Sequence, residues 1–204
     1  MKKSYMSRKD SIVLSAIEII DELGINDLSI RELAKRQGVS EPALYRHFKS
    51  KQDIILAVVD YYSRFDEMLI KTIEERKLSG KESILFLTKS YMEYYENYHA
   101  MTAILYAFEA LRYDLDISLK IKEVMDKRYE AINKYVRAGQ AEGELSAKLQ
   151  SEDFADIISG YTRHIVLKWR MENYSYSLKE RVFKTLSTLL ELTGVQGDDV
   201  NKQH

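Results

Sequence analysis

Residues 28–51 read LSIRELAKRQGVSEPALYRHFKSK, and the rest of the chain is best understood outward from them. Ser29 followed by Glu32 is a capping box, in which each side chain satisfies the backbone N–H left orphaned on the other residue, so a helix is expected to start there. Ile30, Leu33 and Ala34 give that helix an inner face. Gly38 suits the left-handed residue that ends a helix, Val39 plugs the turn, and Ser40 is expected to cap the next helix, with Pro42, the only proline, in its first turn. Leu44 and Phe48 then face inward. Outside remain Glu41, Ala43, Tyr45, Arg46 and His47, with Lys49 and Lys51 just beyond: small, aromatic and cationic groups suited to groove edges and phosphates. Two short helices joined by a tight turn have the layout of a helix-turn-helix. Upstream, Val13, Ala16, Ile17, Ile20 and Leu23 recur at helical spacing up to Gly24, which predicts a first helix bracing the other two.

The segment GVSEPALYRHFKSK resembles the signature of TetR-family transcriptional regulators, in its Leu-Tyr-x-His-Phe core and in the lysine that follows. The resemblance covers about residues 10 to 60. It implies that Tyr45, His47 and Lys51 grip the DNA backbone while Arg31, Glu41, Pro42 and Ala43 lie nearest the bases. With Ser40, Arg46 and Lys49 these form the expected DNA-binding set. Many members of the family carry a small polar residue or glycine where Glu41 and Pro42 stand. A carboxylate there is repelled by phosphate and serves as an acceptor, for instance from a cytosine amino group.

The chain has 204 residues, 45% of them hydrophobic, enough for one large or two modest packed domains. One proline, eight glycines and few alternating β-branched runs leave little to punctuate strands, so the expected class is all-α. The absence of cysteine excludes disulfides, thiolate zinc sites and cysteine nucleophiles. The start, MKKSYMSRKD, is basic without the apolar run of a signal peptide, and the best uninterrupted apolar stretch, residues 54–59, is six long. A membrane span needs about 18. No membrane segment and a cytoplasmic location are therefore expected. The net charge of −1 hides a partition: residues 1–51 carry ten Lys+Arg against seven Asp+Glu, +3, and the remainder carries −4. The basic part coincides with the helix-turn-helix, the asymmetry that counterion release exploits.

A second box-like pair, Ser50 and Asp53, predicts a fourth helix as one connecting rod, with Ile54, Ile55, Val58, Tyr62, Phe65, Leu69 and Ile73 on its apolar face and a break at 77–80. Long helices are then expected at 81–98, 100–113, 116–140, 152–173 and 177–193, with Gly139 and Gly143 marking one helix end. The domain reading is 1–51 for the DNA-binding head, 52–80 for the connecting helix and breaker, 81–194 for a ligand-binding and dimerisation domain, and 195–204 for a flexible tail.

Within 81–194, Tyr91, Met92, Tyr94, Tyr95, Tyr98, Met101, Tyr106, Phe108, Tyr113, Met125 and Tyr129 crowd onto the first three helices. Flat aromatics and adaptable methionines line pockets for apolar ligands, although half-buried core tyrosines with wet hydroxyls give the same pattern. The family resemblance implies an inducer pocket here for a small apolar or aromatic ligand. Tyr91, Tyr95, Phe108 and Tyr129, on the apolar sides of their helices, are the expected ligand-binding residues. Glu96 and His99 have the Glu-x-x-His spacing that serves di-iron bundles, which need a second pair and further glutamates, so an ordinary polar helix end is the simpler reading. Arg163 and His164 suit an anionic ligand, a partner subunit or a satisfied half-buried position.

The last two helices, with Phe154, Ile157, Ile158, Tyr161, Ile165 and Trp169 on one and Leu178, Val182, Leu186, Leu189 and Leu190 on the other, are more apolar than one buried face requires. Pairing with their own copies would make a four-helix bundle; burial of both within a monomer is the alternative. Phe154, Ile158, Tyr161, Ile165, Leu186 and Leu189 are the expected dimer contacts. A two-fold axis would present two heads to a palindromic operator in double-stranded DNA, with half-site centres about 34–36 Å apart.

These readings converge on a homodimeric, ligand-responsive repressor released from DNA by a small-molecule inducer, with no cofactor. No Ser-His-Asp layout with a nucleophile elbow, no phosphate loop and no paired metal ligands point to catalysis, so no enzyme is expected. The alternative is a DNA-binding architectural or nucleoid-associated factor whose C-terminal domain docks a protein partner.

Overall fold

The computed structural model describes residues 6–194, so the tail expected at 195–204 lies outside the described residues. Ten α-helices and one short 3-10 turn make up the fold, with no strand among the described residues, as the all-α reading requires. None of these helices is long and apolar enough to cross a membrane.

Serine hydroxyls start the helices. Ser7, Ser29, Ser50 and Ser177 each accept the N–H three residues on, at 3.0–3.2 Å, opening α1 (Arg8–Leu23), α2 (Ile30–Gln37), α4 (Lys51–Ser63) and α10 (Leu178–Leu192). The most complete capping box falls in the stretch that the sequence reading takes for a breaker. Ser79 accepts from the Glu82 N–H at 3.3 Å and the Glu82 carboxylate accepts from the Ser79 N–H at 3.0 Å, setting the start of α6 (Gly80–Asn97). Ser40 departs from expectation, because its hydroxyl makes no cap; α3 (Glu41–Tyr45) starts instead on Pro42, whose fixed φ is helical and whose missing N–H is one of the orphans.

The described chain folds as two compact units. The first comprises residues 6–65 and 98–124, and the second 66–97 and 125–194. This division differs from a head ending at residue 51, and α1 shows why. Ile12 and Ile19 are buried as fully as Val13, Ala16, Ile17 and Ile20, so the helix is covered on more than one side. It packs on α2 and α4 and also on α7 (Met101–Leu111). Within the same unit Tyr62 meets the Phe108 edge at a ring separation of 5.9 Å. The Gln52 amide donates to Asp114 and Asp116 at 3.0 and 3.2 Å, and Lys120, on α8 (Leu115–Ala141), pairs with Asp60 at 3.1 Å. The three-helix head is thus part of a larger body that includes residues assigned from sequence to the ligand domain.

The expected connecting rod is interrupted. α4 ends at Ser63 and α5 runs Asp66–Arg76. The Arg64 N–H bonds back only three residues, to Tyr61 at 3.3 Å, while its guanidinium lies over the Tyr61 ring at 4.6 Å and on Asp10 at 2.9 Å. Asp66, two residues on, is engaged by Arg128. One apolar period therefore serves two cores, and the helix breaks where the allegiance changes.

In the second unit α6 packs on α5 and α10, and α9 (Ser151–Met171) on α10. Gly139 lies inside α8 rather than at its end, which Gly143 marks with φ of 73°. What Gly139 provides is close approach: a Cβ on Gly80 would overlap the Gly139 backbone and stand 2.6 Å from the Tyr135 carbonyl. Glu142 and Glu144 complete the joint, their carboxylates accepting the Gly80 and Lys81 N–H groups at 2.9 Å each. Four expected dimer contacts are used inside the chain: Phe154, Ile158, Ile165 and Leu186 are all core residues. Tyr161 and Leu189 are half-buried. The apolar residues that α9 and α10 leave exposed are Ile157, Leu167, Met171, Phe183 and Leu192, because the stripe through 154, 158 and 165 faces α10 and the core.

Candidate nucleic-acid interface and ligand cleft

The helix-turn-helix is built on four buried side chains. Leu33, Ala34, Leu44 and Phe48 fix α2 and α3, and Gly38 turns the chain at φ of 64°, which lets the Val39 N–H bond Ala34 at 3.0 Å. Of the expected DNA-binding residues, Arg31, Ser40, Glu41, Pro42, Tyr45, Arg46, His47, Lys49 and Lys51 are exposed and Ala43 is half-buried. Tyr45 is 51% exposed, too open for a core role. Lys51 is anchored by its ammonium on the Ile25 carbonyl at 3.4 Å, and the Asp53 carboxylate is turned onto the Lys49 N–H at 2.8 Å. Arg36 is excluded from this surface by a 2.6 Å pair with Glu22, which lowers the Glu22 pKa and raises that of Arg36. A residue that the sequence reading misses is Lys9, whose ammonium lies 5.2 Å from the Phe48 ring centre and so adds a cation beside α3.

A cleft of about 400 Å³ opens in the second unit between α5, α6 and α8. Ile70, Leu87 and Ala131 form apolar wall, and Glu67, Lys127, Glu130, Lys134 and Arg137 supply charge. Inside it lies a buried ionic group. Arg128 holds Asp66 through two N–H donors, both at 2.8 Å, and the Tyr91 hydroxyl donates to the same carboxylate at 2.8 Å, with the guanidinium 4.7 Å from the Tyr91 ring centre. Burial pushes the Tyr91 hydroxyl pKa well up against the pull of Arg128, so it remains a donor. Tyr135 also lines the cleft; it is 5% exposed and its buried hydroxyl meets no hydrogen-bond partner. Such a group costs about 1–3 kcal/mol where nothing pairs it.

The four expected ligand residues are not brought together. Tyr91 lines the cleft, and Tyr95 stacks behind it at 6.4 Å. Phe108 belongs to the other unit, and Tyr129 faces α9, its hydroxyl on the Glu152 carbonyl at 3.2 Å. Asp66 and Arg128 were overlooked, yet each interrupts an apolar stripe: Tyr62, Asp66, Leu69, Ile73 in one case and Ile121, Val124, Arg128, Ala131, Tyr135 in the other. Glu96 and His99 separate, Glu96 accepting from the Ser177 hydroxyl and the Lys179 N–H at 2.8 and 3.0 Å, and His99 lying 3.7 Å from Asp21. Arg163 and His164 are exposed on α9.

Residues 12–58 match the family model described as bacterial regulatory proteins, tetR family, and residues 62–192 match that of the YsiA-like protein, C-terminal region. The chain belongs to the TetR family of transcriptional regulators. Like other TetR-family proteins it is a DNA-binding regulator, and its helix-turn-helix is the DNA-reading part. The fatty acid metabolism regulator protein of Bacillus subtilis is 25% identical over 168 residues, 82% of this chain and 86% of that one. Among solved structures, FadR from Bacillus subtilis in complex with stearoyl-CoA has a TM-score of 0.75 at 23% identity, covering 92% of this chain and 100% of that one. The ketosteroid regulator KstR2 of Mycobacterium tuberculosis has a TM-score of 0.80 at 18% identity, covering 94% and 97%. These two likenesses establish the fold.

Proposed function

We propose that this TetR-family regulator is a cytoplasmic homodimeric repressor that binds a palindromic operator and leaves it when a ligand fills the cleft between α5, α6 and α8. The observation that carries the reading is the exposed set Tyr45, Arg46, His47, Lys49 and Lys51 on a helix-turn-helix held by buried Leu33, Ala34, Leu44 and Phe48. Beside the expected small apolar or aromatic ligand, the charged cleft suits an amphipathic one, with an apolar body against Ile70, Leu87 and Ala131 and a polar end among the charged groups. Stearoyl-CoA, bound by the Bacillus subtilis FadR, has this character and makes long-chain acyl-CoA the first class to test.

Fluorescence anisotropy with DNA from upstream of the protein's own coding region tests this at two salt concentrations. Saturable binding with a steep salt slope is expected, followed by release on adding long-chain acyl-CoA. Release must be reciprocal, so operator DNA should weaken acyl-CoA binding by the same factor, typically about 5–150-fold. Equal acyl-CoA affinity with and without operator would contradict the inducer mechanism.

A further inference from the structure

We infer that Arg128 is the ligand-sensing residue of the cleft, exchanging its internal partner Asp66 for the anionic head group of an amphiphile. The inference rests on the cleft being the ligand site. Three observations carry it. First, the cleft combines apolar wall with Arg128, whose planar fork presents five donors suited to carboxylate or phosphate. Two of these donors are taken by Asp66, so the protein itself supplies a carboxylate as a stand-in for an anionic ligand. Second, the arrangement is built: side-chain exposure is 14% for Arg128 and 13% for Asp66, and Tyr91 both donates to Asp66 and lies against the guanidinium. Third, Tyr135 offers a buried, unpartnered hydroxyl within the same cleft, seven residues and so two helical turns from Arg128.

The exchange has a consequence for the chain. Asp66 is the first residue of α5, immediately after the interruption that separates α5 from α4, and the Arg128 pair fixes that first turn. An incoming anion that takes the guanidinium leaves Asp66 with the Tyr91 hydroxyl alone. The first turn of α5 then loses the ion pair that holds it within its own unit. Affinity for the ligand and freedom of that first turn are thereby linked through one side chain, and a neutral molecule of the same shape fills the cleft without triggering it.

Carboxylate and phosphate heads share this chemistry, so both are used as probes. Palmitate, palmitoyl-CoA and the neutral palmityl alcohol are titrated by calorimetry into full-length wild type, Arg128→Gln, Arg128→Lys and Asp66→Asn, and operator release is followed by anisotropy. In the wild type at least one charged probe should bind tenfold or more tightly than the alcohol and alone release DNA; which one does so distinguishes a free acid from a phosphate-bearing ester. Arg128→Gln should bind charged and neutral chains equally, and Arg128→Lys should fall between. Asp66→Asn, with the internal competitor weakened, should bind the charged probe several-fold more tightly and release operator at lower concentration. Undiminished preference for the charged chain in Arg128→Gln, or no gain in Asp66→Asn, would overturn the exchange while leaving the cleft as the ligand site. Binding of none of the three chains by wild type would overturn both readings. Far-UV circular dichroism of each variant identifies any that has lost its fold, and Arg128→Lys keeps the charge in the buried site.

Discussion

Ten side chains were assigned to DNA from the sequence, and they divide by what each can touch. Lys51, held at the start of α4 on the Ile25 carbonyl, is the residue proposed as a point charge for a phosphate. Its replacement by alanine should weaken binding to specific and random DNA alike and reduce the salt slope by about 1. Arg31 opens α2 on the exposed side, and Arg31→Ala should instead relax preference at one base pair, worth about 1–3 kcal/mol, with little change toward random DNA. Anisotropy on operator and scrambled duplexes separates the two, and a Lys51→Ala protein that loses preference while keeping affinity would reverse the assignment. These residues were legible because the motif is local: caps, turn and outward positions all lie within one 24-residue window. Asp66 and Arg128 were not, since their partnership spans 62 residues and only a polar intruder on an apolar stripe hints at each.

Among the elements, the helix starts after Ser29 and Ser50 were readable because each serine stands three residues before an acid, whereas the start after Ser79 was misread because a glycine stands beside it. Ser79 and Glu82 make a full capping box, but Gly80 next to them suggests a break. Its true role is contact: it lets α6 begin directly on the α8 backbone at Gly139, under the carboxylates of Glu142 and Glu144. A methyl group at Gly80 meets backbone, which has nowhere to retreat, so Gly80→Ala should destabilise the protein by about 1–3 kcal/mol despite alanine's better helix propensity. Urea unfolding would show this as a lower midpoint at an unchanged slope. An unchanged or raised midpoint would mean that the joint gives way easily. The interrupted rod was beyond the sequence for a different reason. The apolar period continues from residue 54 to 73 past the polar Asp66, and only the tertiary partners of Arg64 and Asp66 show that it serves two cores.

For the whole molecule, the proposed dimer raises the question of which face of α9 would meet a second chain. The sequence makes α9 more apolar than one buried face requires, and burial has used one face of it, through Phe154, Ile158 and Ile165. The other runs Ile157, Gly160, Tyr161, His164 and Met171, exposed except for the half-buried Tyr161. Gly160 is the informative member. It sits in the middle of a 21-residue helix, an added Cβ would meet nothing within 4 Å, and glycine there costs about 1 kcal/mol relative to alanine. Packing within the chain gives no return for that cost, whereas close approach of a partner helix does. Gly160→Leu should therefore leave a single chain as helical and at least as resistant to urea, yet push two chains apart; Ile157→Asp should do the same by burying a charge. Sedimentation velocity at micromolar concentration is expected to show twice the 23.9 kDa chain mass for wild type and the single-chain mass for both variants. Operator binding should fall together with mass, because one head covers only one half-site. If both variants kept the double mass, the subunit contact would lie elsewhere, and Gly160 would need a different partner.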